Sequence, residues 1–161
     1  MIKFGLLGCG RIARRHSDLL GGGHIAGAEL VAVCDEVPER ADAVAAKFGV
    51  PAFYDINAFL NQGEMQAVSV LTPSGMHPAH TITAAKAGKH VVVEKPMALR
   101  LEDADEMIRA CDAARVKLFV VKQNRFNVPV VKAREALDAD RFGRLILGTV
   151  KCEDGNNSRA T

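Results

Sequence analysis

The sequence has few aromatic residues and no long apolar stretch. Its 161 residues include seven phenylalanines, one tyrosine and no tryptophan, and 21 basic residues nearly balance 19 acidic ones. A chain with so little net charge has no strong attraction for nucleic acid or anionic lipid, and scarce aromatics disfavour base stacking. No apolar run reaches the roughly 20 residues of a membrane-spanning helix. We therefore expect no nucleic-acid partner and no membrane partner.

The cysteines show no spacing typical of metal ligands. There is no CxxC pair, and the four cysteines stand far apart, at Cys9, Cys34, Cys111 and Cys152. Zinc is therefore not expected, and we interpret the thiols as reduced, small, buried side chains. The apolar stretch before Cys9 is too short for a secretory signal, and arginines follow it at once. The sequence thus predicts a cytoplasmic chain.

Short apolar runs alternate with helical periodicity along the chain. The runs predict strands over residues 2–7, 30–34, 53–54, 67–71, 90–93, 117–121 and 145–150. The helical pattern covers residues 11–20, 38–48, 56–60, 77–87, 101–114 and 128–137. Strands that alternate with helices form parallel βαβ units, with helices on both faces of the sheet. We predict an α/β fold, a doubly wound parallel sheet (Rossmann fold), over residues 1–150 and a polar, disordered tail over 151–161.

The first predicted strand leads into a glycine turn. Residues 8–13, Gly-Cys-Gly-Arg-Ile-Ala, have the form G-x-G-x-x-A between that strand and the first predicted helix. Gly8 permits the turn, Gly10 lets a pyrophosphate approach the backbone, and Ala13 keeps the helix close to the sheet. The helix start, at Arg11 and Ile12, offers N–H groups to phosphate. This context indicates a dinucleotide site rather than a glycine turn without a ligand.

An acidic residue ends the second predicted strand. Asp35 is placed to accept hydrogen bonds from the adenosine ribose hydroxyls, and its charge would repel a 2′-phosphate. No Arg, Lys or Ser stands at positions 36–38. We therefore predict NAD rather than NADP as the cofactor. The alternative is a loop acid that faces solvent.

Three polar clusters follow later predicted strands, at the edge where open α/β sheets bind ligands. They are residues 71–77 (LTPSGMH), 94–96 (EKP) and 123–127 (QNRFN). Each cluster, taken alone, is also consistent with a polar loop that serves only its own turn.

Together these motifs resemble the glucose-fructose oxidoreductase / inositol dehydrogenase / MocA family. The glycine turn, the loop at 72–77 and above all Glu94-Lys95-Pro96 carry the resemblance, which covers residues 1 to about 150. The stretches 11–20, 72–77 and 122–127 look closer to one branch, the UDP-N-acetylglucosaminuronic acid 3-dehydrogenases of bacterial O-antigen synthesis (the WlbA/WbpB type). The resemblance implies that NAD accepts a hydride from the sugar 3-hydroxyl group of this sugar nucleotide.

The resemblance also implies which residues contact the cofactor. Leu71 and Thr72 would line its pyrophosphate and ribose, and His77 would lie near the same loop and start a helix. Glu94 would contact the nicotinamide ribose, and Gln123 would lie near the nicotinamide end.

Lys95 is the implied catalytic residue. It would reach the substrate hydroxyl that is oxidised, where it could hydrogen-bond or deprotonate that group, and Asn124 would also face the substrate. A cis bond before Pro96 is expected. The alternative for Lys95 is an ion pair with a helix acid such as Glu102.

The chain departs from the family after residue 150. Family members continue into a second α+β domain, which supplies most of the substrate pocket and the sheet used for oligomerisation. Residues 153–157 look unlike that continuation, which a truncation, a shifted reading frame or an isolated domain would each explain. We expect the 161-residue chain to bind NAD without full activity. The alternatives are a dehydrogenase for another sugar or polyol, such as inositol, and a non-catalytic NAD-sensing protein.

Overall fold

The computed structural model describes residues 1–62 and 64–149. The chain divides into two units, residues 1–121 and the residues from Lys122 onward. The predicted tail at 151–161 lies outside the described residues.

The first unit is built on a sheet of six parallel strands. They are β1 (Ile2–Leu7), β2 (Ala28–Cys34), β3 (Ala52–Phe53), β4 (Ala67–Val70), β5 (His90–Val93) and β6 (Leu118–Val120). Their order across the sheet is β3-β2-β1-β4-β5-β6, and every pairing is parallel. The chain therefore reverses its direction of winding between β1 and β4. A crevice opens at such a point, beyond the carboxyl ends of the strands.

Five helices connect these strands. They are α1 (Ala13–Gly21), α2 (Pro38–Phe48), α3 (Ile56–Leu60), α4 (His77–Lys86) and α5 (Leu101–Ala113). Pro38 stands in the first turn of α2, and Gly49 ends that helix in the left-handed conformation, with φ 68°. Asp55 starts α3, because its side chain accepts hydrogen bonds from the N–H groups of Asn57 and Ala58. The predicted doubly wound fold is confirmed.

The core consists of two apolar layers, one on each face of the sheet. Leu6 belongs to the layer that contains Ala13 of α1 together with Ala41 and Ala45 of α2. Its neighbour Leu7 belongs to the opposite layer, with Phe59 of α3, Ala84 of α4 and Met107 of α5. Adjacent residues on a strand point to opposite faces, so a strand covered on both sides reads as a continuous apolar run.

The second unit contains a short 3₁₀ helix, Gln123–Phe126, followed by α6 (Val128–Asp138). The prediction of a seventh strand over 145–150 is wrong for the part that the structure describes, since residues 145–149 are irregular. Ile146 and Leu147 are 91% and 86% exposed. An apolar run forms a strand only beside a hydrogen-bonding neighbour, and this run has none among the described residues. Val150 lies outside them.

Candidate functional site

The glycine turn lies directly against the loop that follows β4. Gly8 has φ +99°, and a Cβ atom at this position would lie 2.8–2.9 Å from backbone atoms of Leu71 and Thr72. A side chain at Gly8 is therefore excluded by contact as well as by conformation. At Gly10, in contrast, a side chain would meet open space, because nothing lies within 4 Å of the position that a Cβ atom would take. The open space lies where the sequence predicts a pyrophosphate.

Helix α1 begins next to this space. Ala13, its first residue, is fully buried. Ile12 precedes it, and no side chain caps the helix. The start of a helix carries a partial positive charge, which favours an anion there. Arg11 and Ile12 are exposed, and both line the adjoining cavity.

Asp35 is held by backbone donors on both of its oxygens. Oδ2 accepts a hydrogen bond from the Cys9 N–H at 2.7 Å, and Oδ1 accepts one from the Val37 N–H at 2.9 Å. Only 9% of the residue is exposed, so the alternative of a loop acid that faces solvent is wrong. Each carboxylate oxygen has more than one acceptor position, and the carboxylate can therefore also accept ribose hydroxyls.

These elements surround a cavity of about 500 Å³. Seven predicted cofactor-binding residues line it, namely Gly8, Gly10, Arg11, Ile12, Asp35, Leu71 and Thr72. The size is in the range of cavities that hold small molecules, roughly 300–1,000 Å³. The combination of open space over Gly10, an uncapped helix start and a fixed carboxylate fits a dinucleotide.

Several lining residues were not predicted from the sequence. Glu36, Arg40, Tyr54, Asp55, Ile56 and His80 also line the cavity. Most of them follow β2, β3 or β4 directly, and the carboxyl ends of these strands share one edge of the sheet. That rule alone could have identified them. Tyr54 donates a hydrogen bond to Asp42 Oδ1 at 2.7 Å, and this bond raises the pKa of the tyrosine hydroxyl.

His80 contacts the predicted cofactor residue Thr72. Its Nδ1 lies 2.9 Å from Thr72 Oγ1. Burial is the main cause that lowers the pKa of His80 below 6.5, His77 acts in the same direction, and Glu36 opposes it. Burial therefore favours the neutral imidazole, which contacts the threonine hydroxyl at the wall of the cavity.

His77 joins two loops instead of lining the cavity. It is the first residue of α4, as predicted, and only 2% of it is exposed. Its Nε2 lies 2.8 Å from the carbonyl oxygen of Thr72, and its Nδ1 lies 2.8 Å from that of Pro96. The ring therefore ties the loop after β4 to the loop after β5.

The Glu94-Lys95-Pro96 loop follows β5, the strand next to β4. Glu94 Oε1 lies 3.0 Å from His16 Nε2, and Oε2 accepts a hydrogen bond from the Lys95 N–H at 3.1 Å. The Lys95–Pro96 peptide bond is cis, as predicted. The Lys95 side chain is exposed.

The alternative role for Lys95, an ion pair with Glu102, is wrong. Glu102 instead contacts Arg100, whose Nε lies 3.4 Å from its carboxylate. Lys95 thus stands at the ligand-binding edge of the sheet with its side chain open to solvent.

Gln123 and Asn124 belong to the second unit. Both are exposed residues of the 3₁₀ helix. Their roles at the nicotinamide and at the substrate stay predictions.

The cysteines of the described residues are free and buried, which confirms the prediction for Cys9, Cys34 and Cys111. Burial raises the pKa of Cys9 and of Cys34 to about 12. Cys152 lies outside the described residues. Within residues 1–62 and 64–149, no three His, Cys, Asp or Glu side chains are grouped to hold a metal ion. No helix in that part of the chain has both the length and the apolar character needed to cross a bilayer.

Comparison with known proteins identifies proteins that are similar to this chain. Residues 2–122 match the family described as oxidoreductase family, NAD-binding Rossmann fold. The crystal structure of the WlbA dehydrogenase from Bordetella pertussis, in complex with NADH and UDP-GlcNAcA, superposes with a TM-score of 0.83 and 47% identity, over 89% of this chain and 43% of that one.

Two curated relatives are more distant in sequence. Inositol 2-dehydrogenase of Rhizobium meliloti (strain 1021) is 33% identical over 153 residues, which are 95% of this chain and 46% of the relative. UDP-N-acetylglucosamine 3-dehydrogenase of Acidithiobacillus ferrooxidans is 33% identical over 135 residues, 84% of this chain and 41% of the relative. The chain thus spans less than half the length of these proteins.

Proposed function

The chain belongs to the oxidoreductase family with an NAD-binding Rossmann fold, and we propose that it is the NAD-binding part of a sugar-nucleotide dehydrogenase. The proposed reaction is oxidation of the 3-hydroxyl of UDP-N-acetylglucosaminuronic acid to a ketone, for bacterial O-antigen (lipopolysaccharide) synthesis. NAD is the cofactor of the family, and residues 1–150 form the proposed dinucleotide-binding domain. The proposal also covers three properties of a longer protein: its dehydrogenase activity, its location in the cytoplasm and its assembly into a homo-oligomer.

One observation carries the proposal. The Glu94-Lys95-Pro96 loop follows β5, and the neighbouring strand β4 leads into the loop that lines the dinucleotide cavity. A lysine is therefore placed at the same edge of the sheet as the cofactor site. The 47% identity with a WlbA dehydrogenase, against 33% with inositol 2-dehydrogenase, supports the sugar nucleotide as the substrate.

The proposed chemistry divides between cofactor and protein. Bound NAD⁺ supplies an acceptor for the hydride that leaves the carbinol carbon. Asp35 and the turn at Gly10 would hold and orient the dinucleotide, and Glu94 would accept hydrogen bonds from its second ribose. Lys95 Nζ, as the free amine, accepts the proton of the substrate hydroxyl as the carbonyl forms. Asn124 and Gln123 are proposed to contact the substrate and the nicotinamide end, respectively.

An extended protein tests this function. We expect the 161-residue chain to bind NADH but to oxidise no sugar nucleotide, because positioning the substrate contributes roughly 7–11 kcal/mol to catalysis. Addition of a second α+β domain from a WlbA relative should give NADH absorbance with UDP-N-acetylglucosaminuronic acid. Lys95→Ala in that protein should lower kcat by about 10²–10⁴-fold. Lys86→Ala, at an exposed residue outside the cavity, is the matched control.

The same assay separates the alternatives. NADH formation with myo-inositol, and none with the sugar nucleotide, would favour a polyol dehydrogenase, in agreement with the inositol 2-dehydrogenase relative. NADH binding without turnover of either compound by the extended protein would favour an NAD sensor. Robust turnover by the 161-residue chain alone would contradict the requirement for a second domain.

A further inference from the structure

We propose that His16 is a positioning residue for Glu94, and that it affects binding of the nicotinamide half of the cofactor without affecting the adenosine half. This inference rests on the proposed function, because it needs Glu94 to contact the nicotinamide ribose.

The pair joins the helix of the glycine turn to the strand that leads to Lys95. His16 belongs to α1, and Glu94 directly follows β5. Their side chains are 18% and 12% exposed, and His16 Nε2 lies 3.0 Å from Glu94 Oε1. An ionised carboxylate only accepts hydrogen bonds, so Nε2 carries the hydrogen and donates it.

Both oxygens of Glu94 are therefore held before a ligand arrives. The second oxygen accepts the Lys95 N–H at 3.1 Å. A free glutamate side chain loses rotamer freedom when it is ordered, and a carboxylate that is already ordered avoids this loss on binding. Each oxygen keeps a further acceptor position for a ribose hydroxyl. Neither His16 nor Glu94 lines the 500 Å³ cavity, so the inference needs the nicotinamide half of the cofactor to extend beyond it, to the loop after β5.

Calorimetric titration of the 161-residue chain with two probes tests the proposal. NADH has both halves of the dinucleotide, whereas ADP lacks the nicotinamide ribose. We expect His16→Leu to weaken NADH binding about tenfold, the effect of one hydrogen bond to a charged group. ADP binding should stay within about twofold of the unaltered chain. His24→Leu, at an exposed histidine of the same unit, should change neither affinity.

Two conservative variants keep the test decisive if His16→Leu fails to fold. The amide nitrogen of Gln reaches about as far as Nε2 of His, whereas that of Asn is one bond shorter. His16→Gln should therefore retain most of the NADH affinity, and His16→Asn should lose it as His16→Leu does. Equal NADH affinities for the Gln and Asn variants would overturn the proposal.

A double variant separates positioning from a general contribution to the fold. Glu94→Ala should weaken NADH binding, and His16→Leu added to it should cause no further loss, since His16 acts through the carboxylate. A further loss of NADH affinity in the double variant would overturn the inference. So would a His16→Leu variant that loses NADH and ADP affinity equally, or one that loses no NADH affinity. If Glu94→Ala binds NADH as the unaltered chain does, this inference fails while NAD binding stands. If the unaltered chain binds no NADH, both proposals fail.

Discussion

The carboxylate of Asp35 accepts a hydrogen bond from the backbone N–H of Cys9 at 2.7 Å. This bond joins the residue that follows β2 to the middle of the glycine turn that follows β1. The acid that is predicted to bind the ribose and the turn that is predicted to receive the pyrophosphate therefore form one hydrogen-bonded unit. A substitution at Asp35 is therefore expected to shift the backbone of the turn at Cys9, and a change in that backbone is expected to shift the Asp35 carboxylate.

The first prediction concerns the choice between NAD and NADP. We expect the unaltered chain to bind NADH more tightly than NADPH, because the buried Asp35 carboxylate would repel a 2′-phosphate. Asp35→Ala should reduce the difference between the NADH and NADPH affinities. It should also destabilise the fold by about 1–3 kcal/mol, because the Cys9 and Val37 N–H groups lose their acceptor. Calorimetry with both cofactors and thermal unfolding measure the two effects.

Glu39→Gln is the matched control for Asp35→Ala. It also removes one negative charge near the start of α2, but residue 39 does not line the cavity. Its affinities for both cofactors should match those of the unaltered chain. Equal or tighter binding of NADPH by the unaltered chain would contradict the prediction.

The second prediction contrasts the two glycines of the turn. Gly10→Val should abolish dinucleotide binding and leave the fold intact, because its side chain would enter space that the protein leaves open. Gly8→Ala should instead destabilise the fold, by about 1–3 kcal/mol or more, because φ is +99° and the new methyl group meets the backbone of Leu71 and Thr72. Circular dichroism and NADH titration distinguish the two outcomes. Unchanged NADH affinity in Gly10→Val would show that the turn is only structural.

Local patterns predicted most of this fold and seven of the residues that line its cavity. Helix α2 begins and ends at the predicted residues, since Pro38 and Gly49 mark its two ends. The prediction of a strand over residues 145–149 is wrong. An apolar run indicates burial, but it does not show whether a partner strand is available to pair with it. The His16–Glu94 contact joins residues 78 positions apart. Only the packing of α1 against the sheet brings such residues together, so no spacing rule could have found it.

The third prediction concerns the thiols near the turn. Burial raises the pKa of Cys9 and Cys34 to about 12, and only the thiolate reacts with alkylating reagents. We expect iodoacetamide at pH 8 to leave both residues unmodified in the folded chain, as seen by peptide mass mapping. Both should react once the chain is unfolded in guanidinium chloride, which is the control. Rapid modification of either cysteine in the folded chain would contradict the assigned burial.

The last prediction concerns His80, whose Nδ1 contacts the Thr72 hydroxyl. Its pKa is lowered below 6.5, mainly by burial, so the folded chain binds this proton more weakly than the unfolded chain. The free energy of unfolding should therefore decrease as pH falls through 6.5 toward the lower pKa of the folded state, and should be unaffected by this group above that range. An NMR titration of the imidazole, assigned with His80→Gln, measures the pKa directly. Glu36→Gln should lower it further, because the Glu36 carboxylate favours the protonated ring, whereas Glu39→Gln should leave it unchanged. A His80 ring that titrates at or above pH 6.5 would show that the cavity wall is far more hydrated than its structure implies.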